Sequence, residues 1–506
     1  MALGYVPQDD IIHRDLDVIQ ALDFAARLRL PSDVSDQERA RQVQSVLEDL
    51  ELQHRQNVPV KQLSGGQRKR VSIGVELLTK PSLFFLDEAT SGLDPGTETQ
   101  MMRLLRRLAD QGRTIVLVTH ATKNVMLCDR VLFLAKGGRM AFYGSPQEAL
   151  TYFEVEDFDE IYLKIENDSP PEQWQQKFLH SDFYQRYITE RQAELKDVAP
   201  TSLRKAKRQA QKTPSSRKSS LRQWWILSQR NLTLLLQDRA SLLLTLAVAP
   251  LLGLLDFAMW RKDVFDPQTG DHAQSFTVLF VSVLIAVIVG SLATMRDIVK
   301  ESEIYRRERM MGLGILPYIF SKLWFCIVLA LYDSVVFFGT KMLSVEFPVS
   351  NLEAGGLFFT LFLATLGGMV MGLLVSALSP NQSVAPLLTI LFLVPQITFA
   401  GSILPLRVLG PVGQGLSQVT ISRWAYESMI GLSNIGRSVA DDACWLTPEE
   451  ERDKWGDEEK KDCSCLGPNL FKQCRFPGLW KQYDAAVDQP EPPKPKEPGD
   501  PPPVPR

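Results

Sequence analysis

Histidine and cysteine are scarce in this chain, at five and six among 506 residues. Six cysteines over that length exclude a cysteine-dense secreted scaffold. An excess of charge of one sign is missing too: 56 basic side chains meet 59 acidic ones, a net of −3. A basic surplus is the footprint of a nucleic-acid binder, so no nucleic acid is expected as a partner. With 45% hydrophobic and 23% charged residues, the composition also excludes wholesale disorder. What remains is a chain long enough for roughly three to four domains.

The ordinary averages conceal unlike parts. Residues 1 to 235 read as water-soluble, whereas five apolar runs follow: Ser241–Trp260, Ser275–Met295, Leu323–Thr340, Ala354–Leu378 and Ser383–Leu406. Each approaches the ~20 residues that a bilayer demands. The second, fourth and fifth contain no Asp, Glu, Lys or Arg, while Asp256 lies near the end of the first and Asp333 sits in the middle of the third. Five such runs in series predict spanning helices, with the lipid bilayer as a partner.

Orientation follows from the flanks. Ser202–Arg222 holds eight basic residues and no acidic one, and the segment between the second and third runs carries Arg296, Lys300, Arg306, Arg307, Arg309 and Lys322. Basic residues stay cytoplasmic, so the N-terminal part is expected inside a plasma or inner membrane and the C-terminal tail outside. Leu221–Arg239, with Trp224 and Trp225, suits an interfacial helix or a plain linker helix. The last 17 residues, 490–506, contain nine prolines and predict an extended polyproline-type tail.

Chemistry concentrates near the N-terminus. Leu63-Ser64-Gly65-Gly66-Gln67 precedes a helical pattern through Leu78. There Ser64 can cap, and the glycines let phosphate approach the free N–H groups of the helix start. Alone, the motif is also a common turn. Leu83–Leu86 is a continuous apolar run that predicts a buried parallel strand ending in Asp87 and Glu88. Asp87 can hold Mg²⁺ directly or through water, and Glu88 can orient and polarise an attacking water. Ser91-Gly92-Leu93-Asp94 follows at once, then a second strand, Thr114–Thr119, ending at His120, which can reach a terminal phosphate. Upstream, Gln8 can serve a metal-bound water or a phosphate.

In this order and spacing, these segments resemble the nucleotide-binding domain of ATP-binding cassette (ABC) transporters. Leu63–Gln67 matches the signature, Leu83–Glu88 the Walker B strand with its catalytic glutamate, Ser91–Asp94 the D-loop, His120 the switch histidine and Gln8 the Q-loop glutamine. Ala89 departs mildly, since many relatives have proline there. A cassette ahead of the membrane helices, Arg68-Lys69-Arg70 after the signature, and Glu303–Arg309 at the place of a cytoplasmic coupling helix are similar to the G or White subfamily of half transporters.

The resemblance implies an α/β nucleotide-binding cassette of the P-loop NTPase type followed by an α-helical transmembrane domain. It implies ATP and Mg²⁺ as cofactors, Glu88 and His120 as catalytic residues, and Asp87 and Gln8 at the metal. Gln8, Ser64, Gly65, Gly66, Gln67 and Asp94 would contact nucleotide, the signature residues acting on the partner's. The partner is a second half transporter, as homo- or heterodimer, and the cargo is lipid-like or hydrophobic. Domain limits fall at 1–155 for the cassette, 156–222 for a basic linker, 223–435 for the membrane domain, 436–489 for an external loop and 490–506 for the tail.

Two departures shape the expectation. No Gly-Lys dipeptide occurs, so the Walker A loop, Gly-x-x-x-x-Gly-Lys-Ser/Thr, is absent from this sequence. The subfamily has six spans, against five here. Both point to a fragment cut at either end, inactive alone and able to complete only a partner's site. Cys444, Cys463, Cys465 and Cys474, in the external loop, are disulfide candidates with three possible pairings. Zinc is the alternative, weakened by the lack of nearby histidine. Cys128 and Cys326 are expected free, Asp256 solvated near a membrane face, and Asp333 engaged by either a neighbouring helix or substrate.

Overall fold

The computed structural model describes residues 3–193, 219–265, 272–404 and 409–433, with isolated positions between 447 and 456. The basic stretch over 202–218, the four external cysteines and the proline-rich tail lie outside the described residues. The chain divides into two compact units: Met1–Gln237 with Glu303–Tyr318, and Asp238–Ser302 with Ile319–Arg506.

The first unit begins with β1 (Leu3–Val6), α1 (Val18–Arg29), α2 (Asp36–Asp49), α3 (Gly65–Leu77), β2 (Leu83–Asp87), α4 (Pro95–Asp110) and β3 (Thr114–Val118). The strands form a parallel sheet in the order β1-β2-β3, with Tyr5 opposite Phe85 and Phe85 opposite Val116. A continuous apolar run predicts burial of the central strand on both faces. Instead burial alternates: Phe84 and Leu86 are 2% and 1% exposed, whereas Phe85 is 37% exposed. Side chains alternate across a pleated strand, and the described elements cover one face, leaving Tyr5, Phe85, Val116 and Val118 on the other.

Local chemistry sets the helix starts. Ser64 accepts from the Gln67 N–H and the Gln67 side chain returns to the Ser64 N–H, a reciprocal cap on α3. Asp94 caps α4 by accepting from the N–H groups of Gly96 and Thr97, with Pro95 at the first helical position.

Beyond β3, the hairpin β4 (Val131–Ala135) and β5 (Arg139–Gly144) packs with α5 (Pro146–Phe153), α6 (Phe158–Asn167) and α7 (Pro171–Leu179). Phe133, Phe142, Phe153, Trp174 and Phe178 make an aromatic core there. Edge-to-face contacts such as Phe133–Phe153 suit the ring quadrupoles. The segment from 158 to 179, read from sequence as linker, thus buries Phe158, Ile161, Trp174 and Phe178 against the hairpin. A helix over Ser220–Gln237 follows, with Gln223, Ile226, Leu227 and Arg230 buried.

In the second unit the fifth expected run differs from the first four. Among the described residues, four helices are long and apolar enough to cross a membrane: Arg239–Met259, Gln274–Met310, Ile315–Ser344 and Asn351–Leu378. The fifth run forms a shorter helix, Ala385–Thr398, with Pro395 inside it, succeeded by the helices Pro411–Gln418 and Ile421–Leu432. Fourteen residues rise only about 21 Å, short of a ~30 Å hydrocarbon core.

His272–Thr294 and Asn351–Leu378 meet backbone to backbone. A Cβ added at Gly368 would stand 2.4 Å from the Val287 carbonyl oxygen, and one at Gly372 2.4 Å from that of Ser291. From the other side, a Cβ at Gly290 would stand 2.3 Å from the Thr365 oxygen. Thr294 Oγ1 donates to the Met369 carbonyl at 2.7 Å across the same seam. Small residues permit this approach where lipid offers helices no hydrophobic drive to associate.

Asp256 corrects the expectation of a solvated carboxylate. It is 2% exposed, accepts from Lys341 Nζ at 2.7 Å and from Trp260 Nε1 at 3.1 Å. A buried carboxylate needs such a partner, because desolvation of an unpaired charge is prohibitive. Asp333 is 5% exposed, and its Oδ1 has no hydrogen-bond partner among the described residues.

Gly368→Val should destabilise the membrane unit by about 1–3 kcal/mol, since neither facing backbone can yield. Thermal unfolding of the purified protein in detergent checks this; an unchanged midpoint would contradict the backbone seam.

Candidate nucleotide site

The C-terminal ends of β1, β2 and β3 bring three of the sequence-nominated residues together. Gln8 Nε2 donates to Glu88 Oε2 at 2.8 Å, and His120 Nδ1 lies 3.6 Å from Glu88 Oε1. The histidine side chain is 68% exposed and the glutamate 30%, so the group opens to solvent on one side.

Glu88 holds this place at a backbone φ of +46°, a left-handed value that non-glycine residues rarely adopt. Strain of this type costs about 1–3 kcal/mol and persists only when neighbours impose it. Here the Glu88 N–H donates to the Val118 carbonyl at 2.8 Å, and the Ser91 N–H donates to the Glu88 carbonyl at 3.0 Å. Nearby, the Thr90 and Thr119 hydroxyls lie 3.2 Å apart, and Thr119 Oγ1 accepts from the Ala121 N–H at 3.0 Å. These contacts fasten the end of β3, and with it His120, to the turn after β2.

Asp87 stands beside this group, with Tyr5 Oη donating to its Oδ2 at 3.4 Å. Burial, then the Asp87 charge, pushes the Tyr5 phenol above its ordinary pKa, so the phenol stays a donor near neutrality. Asp87 and the side-chain carbonyl of Gln8 are hard oxygen donors. They fit Mg²⁺, which takes one or two protein ligands and completes its shell with water and phosphate.

The signature residues occupy a second place, at the start of α3. A Cβ on Gly66 would stand 2.3 Å from Thr97 Cγ2. Glycine at this position therefore brings the helix start against the first turn of α4. A helix start of this kind, with free N–H groups and the positive dipole end, has the chemistry that suits a phosphate. Asp94, also nominated for nucleotide, is engaged as the α4 cap. Hydrogen bonding by Thr97, then Gly96, holds its carboxyl below the ordinary range. Its capping contribution is therefore complete above the unfolded pKa and is lost as pH falls through the lower folded value.

Glu76, near the end of α3, was not singled out in the sequence. It is fully buried, and its Oε1 accepts from Arg29 Nη1 at 2.9 Å and from Arg307 Nη2 at 2.6 Å and Nε at 3.1 Å. Arg307 belongs to the helix Ser302–Met310 within the proposed coupling segment. It also donates from Nη1 to the Ile11 carbonyl at 2.9 Å. Beside it, Arg230 pairs with Glu308 through two contacts, the longer at 3.1 Å. The available signal was a lone carboxylate inside the apolar run Ile73-Gly74-Val75-Glu76-Leu77-Leu78.

Removing the carboxylate in Glu76→Ala leaves two guanidiniums buried without their shared acceptor. The expected loss is about 3–5 kcal/mol, whereas Glu303→Ala, at an exposed position of the neighbouring helix, should stay within about 0.5 kcal/mol. Urea denaturation followed by tryptophan fluorescence separates the two; equal effects would refute the assignment.

Comparisons with known proteins bear on the order of the two parts of the chain. The ABC transporter family model matches residues 1–91, and the ABC-2 type transporter model matches residues 222–432. The chain is 33% identical over 436 residues to the ABC transporter ATP-binding/permease protein Rv1747 of Mycobacterium tuberculosis, covering 84% of this chain and 48% of that protein. It thus spans about half the length of that relative. It is 27% identical over 471 residues to the broad substrate specificity ATP-binding cassette transporter ABCG2 of Rattus norvegicus, covering 84% of this chain and 70% of that protein. ABC transporter G family member 28 of Arabidopsis thaliana is 42% identical over 158 residues, 30% of this chain and 14% of that protein. With a cassette ahead of an ABC-2 membrane domain, the chain belongs to the ABC transporter family, in the manner of its G-type half transporters.

Proposed function

We propose that the intact protein is one subunit of an ATP-driven transporter. It works as half of a homo- or heterodimer and exports a lipid-like or hydrophobic compound across a cell membrane. The observation that carries this reading is the grouping of Gln8, Glu88 and His120 at the ends of a parallel sheet, where α/β proteins bind ligands.

In this reading Glu88 accepts a hydrogen bond from the attacking water and takes its proton as the water oxygen bonds to the phosphoryl group and the bond to the ADP oxygen breaks. Gln8 fixes the carboxylate by its amide, and exposed His120 reaches the terminal phosphate. Asp87 and the Gln8 carbonyl would hold Mg²⁺, which when bound neutralises charge on the phosphate oxygens. Ser64, Gly65 and Gly66 would present the start of α3 to nucleotide held by the partner subunit. The ABCG2 relative is named for broad substrate specificity, which supports a permissive cargo site here.

Movement would pass from the site to the membrane helices through the segment Gln8–Ile11. At one end of that segment Gln8 touches Glu88, and at the other Ile11 accepts from Arg307. The basic residues flanking the second and third spans support a cytoplasmic cassette and an external C-terminal tail.

Glu88→Gln in the intact transporter should lower the ATP turnover number at least about a hundredfold, the worth of a positioned general base, with ATP still bound. Phosphate release and binding of a fluorescent ATP analogue measure the two; undiminished turnover would sink the assignment.

A further inference from the structure

We infer that Lys69 is a positioning residue, tying the signature helix to the loop that seats Gln8 on Glu88. The inference rests on the ATPase reading above and adds a residue to it. Lys69 lies in α3, one turn beyond the signature glycines, and is 5% exposed. A lysine is seldom buried to this degree without a dedicated partner. Its Nζ donates to the backbone carbonyl of Gln8 and stands 3.5 Å from Asp10 Oδ1. Arg68 Nε lies 3.8 Å from the other oxygen of Asp10.

The geometry gives the ammonium a defined task. Gln8 has two polar ends in use: its amide Nε2 donates to Glu88, and its backbone carbonyl accepts from Lys69. The carbonyl anchor fixes where the Gln8 side chain starts, and therefore how its amide meets the carboxylate. Because Lys69 and the Ser64–Gly66 turn share one rigid helix, a shift of that turn on the partner's nucleotide carries the Gln8 carbonyl with it. The seating of Gln8 on Glu88 is thereby tied to the position of its own subunit's signature turn.

The test uses the intact transporter. Lys69→Met keeps the aliphatic stem, removes the ammonium and leaves Arg68 facing Asp10. Its kcat for ATP should fall roughly tenfold, the scale of one charge-assisted hydrogen bond, with KM for ATP within about twofold of the parent. Lys69→Arg, which restores a cation, should recover most of the loss. Should the Met form fail to fold, Lys69→Gln, shorter and uncharged, must show the same kcat deficit. A parental kcat in the folded Met or Gln form overturns the inference, as does a deficit that Arg leaves unrepaired. Glu88→Gln distinguishes the layers: if it still turns over, the ATPase reading fails, whereas an inactive Glu88→Gln beside a fully active Lys69→Met removes only the role of Lys69.

Discussion

The first unit depends on one buried carboxylate. Glu76 holds the guanidiniums of Arg29 and Arg307 on a single oxygen, so three charges lie out of water with a net excess of one positive. Coulomb attraction at these distances is strong in a low dielectric, but desolvation of each ion opposes it. Such an arrangement gains little over an apolar core. What it confers is registry, because only one placement of α1, α3 and the helix Ser302–Met310 satisfies all three groups. The Arg307 contact to the Ile11 carbonyl extends that registry to the loop leading from the first strand.

The helix α3 then acts as a bar with fittings along its length. Its 13 residues span about 20 Å. The Ser64–Gly66 turn is at its start, Lys69 follows on the Gln8 loop, and Glu76 sits two turns further on against Arg307. Lys69 and Glu76 are seven residues apart, which places them on about the same face. Hydrogen bonding within an α-helix resists bending on this scale, so a tilt at one fitting must appear at the others.

The sequence was most legible where function is written contiguously. Gln8, Ser64–Gln67, Asp87–Glu88, Asp94 and His120 stand in short segments whose chemistry can be read locally, and Gln8, Glu88 and His120 do converge. Asp94 carries a capping duty that the motif alone did not announce. The contacts of Glu76 and Lys69 were not legible locally, because their partners are distant in the chain; Arg307 is 231 positions from Glu76. Hydropathy found the apolar runs but not their division into helices, since Pro395 and the turn after Thr398 interrupt a run whose mean composition is uniformly apolar. It also misjudged Asp256, whose partner Lys341 lies at the far end of another helix. The strands read as covered on both sides, and an apolar run cannot tell which of its faces will meet a helix.

The glycine seam between His272–Thr294 and Asn351–Leu378 has a mechanical consequence. Where side chains separate two helices, rotamers can re-sort and the helices can slide by small steps. Here the carbonyls of Val287, Ser291 and Thr365 rest directly against the opposing glycine backbone, and no rotamer is available to absorb displacement. The two helices must travel as a single welded beam. Any opening of the membrane unit has to be hinged elsewhere, along contacts that side chains rather than backbones make.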